Sequence, residues 1–173
     1  MSAVFSTTST DRETVACGIF KVDQAAFTQA AKAFIQIVGK MKSKEAQEAA
    51  EMANEYLTLG DKYLAISRRV PHGLAGLMIL SRQEGSLKIE AVCAHPMSKT
   101  VGLQLVQRAV NESVKAGLAG RLVLTDRSNG NALYRNTGFT PLTKDEGEIK
   151  MKLDPSLSKN WAIGKGGRYV AQR

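Results

Sequence analysis

Apolar residues recur along this chain at two spacings, which together predict alternating helices and strands. Closely spaced apolar residues predict strands at residues 15–22, 62–69, 74–81, 87–94, 121–125, 139–142 and 148–153. Apolar residues three and four positions apart predict a helix from Asp23 to about Gly39, a second after Ser43 and a third from Gly102. A shorter helix is predicted at residues 129–136.

The order of these elements, β-α-α-β-β-β-α-β-α-β-β, predicts the fold class. Turn signals at residues 71–73 and 83–85 separate the second, third and fourth strands, as in an antiparallel meander. The strand, helix and strand that follow imply one parallel pair. We therefore predict an α/β (α+β) fold with a mixed, mostly antiparallel sheet. It forms one domain of residues 1–157, followed by a basic tail of residues 158–173.

Length and composition place the chain among ordinary globular domains. Its 173 residues, 43% hydrophobic and 23% charged, suffice for one buried core. No apolar run approaches the roughly 20 residues that a membrane span needs. The Ser/Thr-rich start at residues 1–11 lacks the pattern of a signal sequence. We expect a cytoplasmic location without membrane contact, with secretion as a bacterial effector as the alternative.

Charge favours an anionic partner. The net charge is +8, and the tail carries only basic charges, at Lys159, Lys165, Arg168 and Arg173. Coenzyme A, RNA or an acidic partner fits this balance, whereas scattered lysines also serve solubility alone. Trp161 and Tyr169 in the tail either stack on nucleic-acid bases or pin the tail to the domain.

The cysteines and histidines do not form a metal-binding pattern. Cys17 and Cys93 lie outside any CxxC motif or histidine pair with ligand spacing, so we predict no metal. Cys93 falls in a strand-like run, where a thiol usually packs as a small apolar group. His95 is expected to be a loop residue rather than a catalyst, and His72 a solvated turn residue.

Two stretches carry candidate chemistry. At residues 91–106 a strand ends, a loop turns and a helix begins, and the unpaired first amides of a helix bind anions. Gly102 at this helix start admits close approach of a ligand to the backbone, unless it serves helix packing instead. The second stretch, residues 129–139, places Tyr134 on the short helix with its hydroxyl free to face a cleft, and Gly138 ends that helix.

These two stretches resemble the signature of the GNAT acetyltransferases. That family follows its fourth strand with [Arg/Gln]-x-x-Gly-x-[Gly/Ala] and later shows Asn…Ala…Tyr-x-x-x-Gly-Phe. Here the first motif reads Lys99-Thr-Val-Gly102-Leu-Gln104, and the second reads Asn129…Ala132-Leu-Tyr134-Arg-Asn-Thr-Gly138-Phe139. Lys99 keeps a charge but lacks the planar fork of arginine, and Gln104 replaces a small residue. The resemblance covers about residues 62–154.

The resemblance implies transfer of an acetyl group from acetyl-CoA to a primary amine by direct attack in a ternary complex. The acceptor is a protein, a small molecule or an aminoacyl-tRNA, and the enzyme a monomer or homodimer. Tyr134 would protonate the departing thiolate. Backbone groups of a strand end would hold the pantetheine arm and those of a helix start the pyrophosphate. These cofactor-binding residues are Cys93, Ala94, Lys99, Thr100, Val101, Gly102, Leu103, Gln104 and Asn129.

A base must take a proton from the amine, and Glu90 is the candidate. Period-two alternation predicts that it shares a strand face with Val92 and Ala94. The alternative is that Glu90 only pairs with Lys88 or an arginine. For the whole chain, the departure at Gln104 supports another hypothesis: a weak or inactive GNAT-like binding module with a basic, nucleic-acid-binding tail.

Overall fold

A computed structural model describes residues 17–127, 132–145 and 148–172 of the chain. The predicted order of elements is confirmed through the seventh strand. Residues 1–11, Asn129 and Arg173, which figured in the predictions, lie outside the described residues. The elements are β1 (Cys17–Val22), α1 (Gln24–Lys40), α2 (Lys44–Glu55), β2 (Asp61–Ser67), β3 (Leu74–Gln83), β4 (Ser86–Ala94), α3 (Val101–Lys115), β5 (Leu122–Asp126), α4 (Ala132–Asn136), β6 (Thr140–Asp145), β7 (Glu148–Leu153), β8 (Trp161–Ile163) and β9 (Tyr169–Ala171).

Strands β1 to β7 form one sheet in the order β1-β2-β3-β4-β5-β7-β6. β4 and β5 run parallel, and all other neighbours in this sheet run antiparallel. The predicted mixed sheet with one parallel pair is therefore confirmed. Helix α3 links the parallel strands, because a chain must cross over before it can run in the same direction again.

Helices cover both faces of the sheet. On one face, α1 packs through residues such as Phe27 and α2 through residues such as Ala50, in one cluster with Leu77. On the opposite face, α3 packs through residues such as Leu105 against Met78, the next residue along β3. Since β3 is covered on both sides, it is buried over seven consecutive residues at 74–80, where a one-sided strand would alternate.

Short polar side chains and backbone turns set the helix ends. Asp23 caps α1 as predicted, because its Oδ1 accepts a hydrogen bond from the Ala26 amide at 2.8 Å. α1 ends at Lys40, one residue after the predicted Gly39, and the left-handed turn falls at Lys42 (φ 55°). No helix in the described ranges is long and apolar enough to cross a membrane.

The segment after β7 forms a hairpin of β8 and β9 that packs on α3. The Asn111 side chain pairs with Tyr169 like a neighbouring strand: its Nδ2 donates to the Tyr169 carbonyl (3.0 Å) and its Oδ1 accepts from the Tyr169 amide (2.9 Å). Gln107 accepts another bond from the backbone of β9. The Trp161 ring is buried, and its Nε1 donates to the Thr137 carbonyl at 2.7 Å. Trp161 therefore anchors this segment to the domain, and its ring is not accessible for stacking on a nucleic-acid base.

The parallel pairing between β4 and β5 is short. It begins at Leu87 and Leu122 and ends at Ile89 and Leu124. Beyond this point β5 stays paired with β7, whereas β4 continues beside β3 to Ala94. Among the described residues, no strand pairs with the β5-facing edge of β4 at residues 90–94. We call this opening, beside the start of α3, the β4–β5 gap.

Candidate active site at the β4–β5 gap

The gap leaves part of the β4 backbone edge without a neighbouring strand. The His95 amide donates to the Ala75 carbonyl at 2.8 Å, so His95 bonds toward β3. Alternate residues of an antiparallel strand bond to opposite neighbours. Cys93 therefore also bonds toward β3, and the backbone groups of Val92 and Ala94 face the gap. Of the two residues predicted to hold a pantetheine arm, Ala94 lies with its backbone toward the gap and Cys93 does not.

The side chain of Cys93 points into the core beneath α1 and α2. Burial raises the pKa of its thiol to about 12, against an opposing contribution from the Leu77 backbone. The predicted role of Cys93 as a small buried group is confirmed. A thiol of this pKa stays neutral at physiological pH and is a poor nucleophile.

The start of α3 presents backbone amides that precede the helical hydrogen-bond ladder. The Gln104 amide donates to the Thr100 carbonyl at 3.1 Å, which closes the first turn. The amides of residues 101–103 therefore come before this bond, and the Thr100 side chain does not cap them. Such amides and the positive end of the helix dipole favour an anion. Lys99, exposed in the preceding loop, adds a positive charge.

Gly102 is in contact with α4 through a residue that the sequence did not single out. A Cβ at Gly102 would lie 2.9 Å from Leu133 Cδ2 and 3.9 Å from Ala94 Cβ. Leu133 thus packs over the start of α3, and the glycine serves this packing in the present conformation. The side-chain oxygen of Gln104 is buried, with no hydrogen-bond partner among the described residues. Gln104 therefore does not present this oxygen to a ligand here.

Tyr134 lies on α4, mostly buried, with its ring edge-on to Phe139 at 5.8 Å between centroids. Burial raises the pKa of the Tyr134 phenol above its usual range, and negative charge at Asp126 acts in the same direction. Tyr134 directly follows Leu133, whose side chain packs over the start of α3 at Gly102. The phenol stays protonated at neutral pH and can act as a proton donor.

Asp126, the last residue of β5, was not among the predicted site residues. Its carboxylate is nearly inaccessible, at 2% exposure. The usable signal was an acidic residue that ends a strand of the parallel pair, since the carboxyl ends of such strands border ligand sites in many α/β sheets. Its charge helps to keep the neighbouring Tyr134 phenol protonated.

Glu90 occupies an irregular position in β4. The register with β3 passes from the pair Ile79–Ala91 directly to Leu80–Ile89, so Glu90 is the extra residue of a β-bulge. A bulge interrupts the alternation of side chains along a strand. The prediction that Glu90 shares a face with the two even-numbered residues that follow it is therefore wrong.

The carboxylate of Glu90 is paired within the protein. It accepts a hydrogen bond from Ser81 Oγ at 2.5 Å and lies 2.7 Å from Lys88 Nζ, with its side chain 9% exposed. The structure thus contains the Lys88 pair that was the alternative interpretation. Four residues, about 13 Å along an extended strand, separate Glu90 from Ala94, which lies beside the start of α3.

His95 follows β4 as a loop residue, as predicted, but it is fully buried, with 1% exposure. Its Nδ1 accepts a hydrogen bond from the Met97 amide at 3.2 Å, and its Nε2 has no partner among the described residues. Its ring meets Phe34 edge-on. Burial lowers the pKa of His95, so the ring is neutral and supports the loop that leads to α3. His72 lies exposed in its turn.

A seven-stranded mixed sheet, opened at its one parallel pair and followed by a helix start that faces the opening, is the GNAT acetyltransferase fold. Solved structures of this class resemble the chain over most of its length. One is the PaiA N-acetyltransferase from Thermoplasma acidophilum in complex with coenzyme A (16% identity, 81% of this chain and 99% of that chain, TM-score 0.58).

Two others are a Bacillus subtilis acetyltransferase in complex with CoA (18% identity, 80% and 97% of the chains, TM-score 0.54) and a GNAT-family acetyltransferase from Staphylococcus aureus Mu50 (15% identity, 79% and 98%, TM-score 0.55). No family model and no curated protein matches the sequence. At these identities the likeness shows the fold.

Proposed function

We propose that this protein is an N-acetyltransferase that moves an acetyl group from acetyl-CoA to a primary amine. The observation that carries the proposal is the opening of the sheet beside the start of α3, where the amides of residues 101–103 precede the helical hydrogen-bond ladder. Tyr134 directly follows Leu133, whose side chain packs over this helix start, and its phenol is protonated at neutral pH. The fold and the two CoA complexes among its structural neighbours support the choice of donor.

The residues at the gap suit the two polar parts of the donor. The amides of residues 101–103, with Lys99 beside them, would hold the pyrophosphate. The gap-facing backbone of Val92 and Ala94 would pair with the pantetheine amides as with an added strand. Leu133 packs over Gly102, and the end of this flexible side chain would turn aside when the anion binds.

The chemistry needs one proton donor and one proton acceptor. As the amine nitrogen bonds to the acetyl carbon and the carbon–sulfur bond breaks, Tyr134 would donate its proton to the departing thiolate. Glu90 is our candidate for the base that takes the proton of the amine. Since about 13 Å of strand separates it from Ala94 beside the start of α3, it would act through water. The acceptor class remains a primary amine on a protein, a small molecule or an aminoacyl-tRNA.

Calorimetric titration with acetyl-CoA tests the donor site. We expect micromolar binding to the unaltered protein, and a Gly102→Glu variant that binds at least about tenfold more weakly than Gly102→Gln, or about 1.4 kcal/mol. Both side chains displace Leu133 to a similar extent, so the difference isolates the charge at the start of α3. Equal affinities of the two variants for acetyl-CoA would mean that the pyrophosphate does not bind at the start of α3.

One observation favours a second candidate, a binding module with the GNAT fold and no transferase activity. Leu133 covers Gly102, and the oxygen of Gln104 is buried rather than directed to a ligand. The same titration separates the two functions. If the unaltered protein binds no acetyl-CoA at millimolar concentration, the protein is a binding module and not a transferase.

A further inference from the structure

A second cavity lies at the opposite end of β4 from the proposed donor site. It has a volume of about 770 Å³ and is bounded by the first residues of β4 and β5, the start of β6, the end of β7 and residues 154–160. We call it the basal cavity. Ser86 borders it, whereas Ala94 borders the β4–β5 gap, so about 26 Å of extended strand separates the two sites.

The basal cavity is lined by four cationic side chains: Arg121, Arg135, Lys152 and Lys159. Among the described residues of its lining, the one acidic residue is Asp154, whose carboxylate accepts hydrogen bonds from the amide (3.0 Å) and hydroxyl (2.5 Å) of Ser156. Within the described part of the chain, Arg135, Lys152 and Lys159 form no ion pair. The cavity therefore carries an uncompensated positive charge.

Apolar side chains form both the floor and the rim of the basal cavity. Leu122 and Phe139 in its floor are buried parts of the core. At the rim, Leu157 is 85% exposed and Leu142 50% exposed. An exposed leucine is ordinary when it stands alone, but two at one rim above an apolar floor form a contact surface for another apolar group.

We propose that the basal cavity docks an acidic peptide segment of another protein through an apolar side chain flanked by carboxylates. The cationic side chains match the carboxylates, and the floor and exposed leucines match the apolar residue. Single-stranded nucleic acid is less suited, because its bases stack on accessible aromatic faces. Phe139, the one aromatic residue in the described lining of the cavity, is only 4% exposed. Docking here goes beyond the proposed transferase activity and does not depend on it.

Fluorescence anisotropy with a labelled Glu-Glu-Leu-Leu-Glu-Glu peptide tests the proposal on the full chain without acetyl-CoA. We expect saturable binding that weakens about tenfold in a Lys152→Glu/Lys159→Glu double variant and several-fold in Leu157→Ser. These side chains are exposed, so circular dichroism should show unchanged folding. The matched control reverses Lys165 and Arg168, two exposed cations of the β8–β9 hairpin outside the cavity, and should leave the affinity unchanged.

Three outcomes would overturn the proposal. The first is no saturable binding. The second is unspecific attraction of charge. It would show as an equal loss of peptide affinity in the hairpin control, or as equal affinity for a peptide with serine in place of leucine. The third is tighter binding of an oligouridylate that the Lys152→Glu/Lys159→Glu change abolishes, which would make the cavity a nucleic-acid site. A failure of acetyl-CoA binding leaves this test unaffected.

Discussion

The two ends of β4 offer different groups to an anion. At its carboxyl end, the start of α3 offers backbone amides held in place by the helix, with Lys99 beside them. At its amino end, the basal cavity offers four long cationic side chains above an apolar floor. Fixed amides suit one compact group such as a pyrophosphate. Flexible side chains suit an extended partner, because they adapt to its shape.

The ends also differ in how they are closed. At the carboxyl end the strand ladder stops at Ile89, and Leu133 of α4 packs over the helix start beside the space beyond. At the amino end the ladder is complete, and residues 154–160 form a wall in front of it that Trp161 anchors. Where the pairing of strands is interrupted, backbone groups are available to bind a ligand. Where the pairing is complete, only side chains can do so.

The largest expected effect is a loss of stability on replacing Trp161, which anchors the wall of the basal cavity at residues 154–160. Trp161→Ala deletes a buried ring and leaves the Thr137 carbonyl without its donor, so we expect the free energy of unfolding to fall by about 3–5 kcal/mol. Trp161→Phe should lose less. Urea unfolding followed by circular dichroism measures both. A loss below about 1 kcal/mol in the alanine variant would mean that the hairpin is dispensable to the fold.

The next effect tests the carboxyl end. Tyr134→Phe keeps the ring beside Phe139 but removes the proton donor, so we expect turnover to fall about 100-fold while acetyl-CoA affinity is unchanged. Release of free CoA measures turnover, with Tyr169→Phe as a matched control. Undiminished turnover would mean that Tyr134 is not the proton donor.

The Glu90→Gln variant tests the candidate base in the same assay. If Glu90 is the base, the variant should lose the fall in turnover that the unaltered enzyme shows at low pH. A variant that keeps this fall would mean that Glu90 is not the base.

The smallest effect concerns His95, behind the loop that leads to α3. The pKa of His95 is lowered in the folded protein. Below about pH 6.5, His95 therefore binds a proton in the unfolded chain while it stays neutral in the folded protein. The free energy of unfolding should therefore fall as pH decreases from 6.5 to 5, by at most about 1.4 kcal/mol per unit. The lowered pKa of Glu112 acts at more acidic pH, outside this window.

Variants of the two histidines isolate this contribution. His95→Gln should flatten the dependence of unfolding free energy on pH between 5 and 6.5, and His72→Gln, at an exposed turn, should keep it. Urea titrations at several pH values provide the measurement. The same slope in both variants would show that His95 does not resist protonation in the folded state.

Features that depend on neighbours along the chain were predictable. The cap at Asp23, the order of the elements along the chain and the amides at the start of α3 follow from spacing and from backbone groups that every helix start shares. The bulge at Glu90 was not predictable, because an extra residue in a strand is visible only against the register of its partner. The contact of Leu133 with Gly102 joins two helices about 30 residues apart in the sequence.

By itself, the sequence determined the elements, their order and the positions of Tyr134 and the α3 start, since periodicity and terminal signals are local. Only the tertiary structure decided where the parallel ladder stops, which backbone groups of β4 face the gap and that residues after β7 form a packed hairpin. It also decided that Glu90 pairs with Lys88 and that His95 is buried. These properties depend on contacts between distant segments, and such contacts exist only once the sheet and helices are assembled.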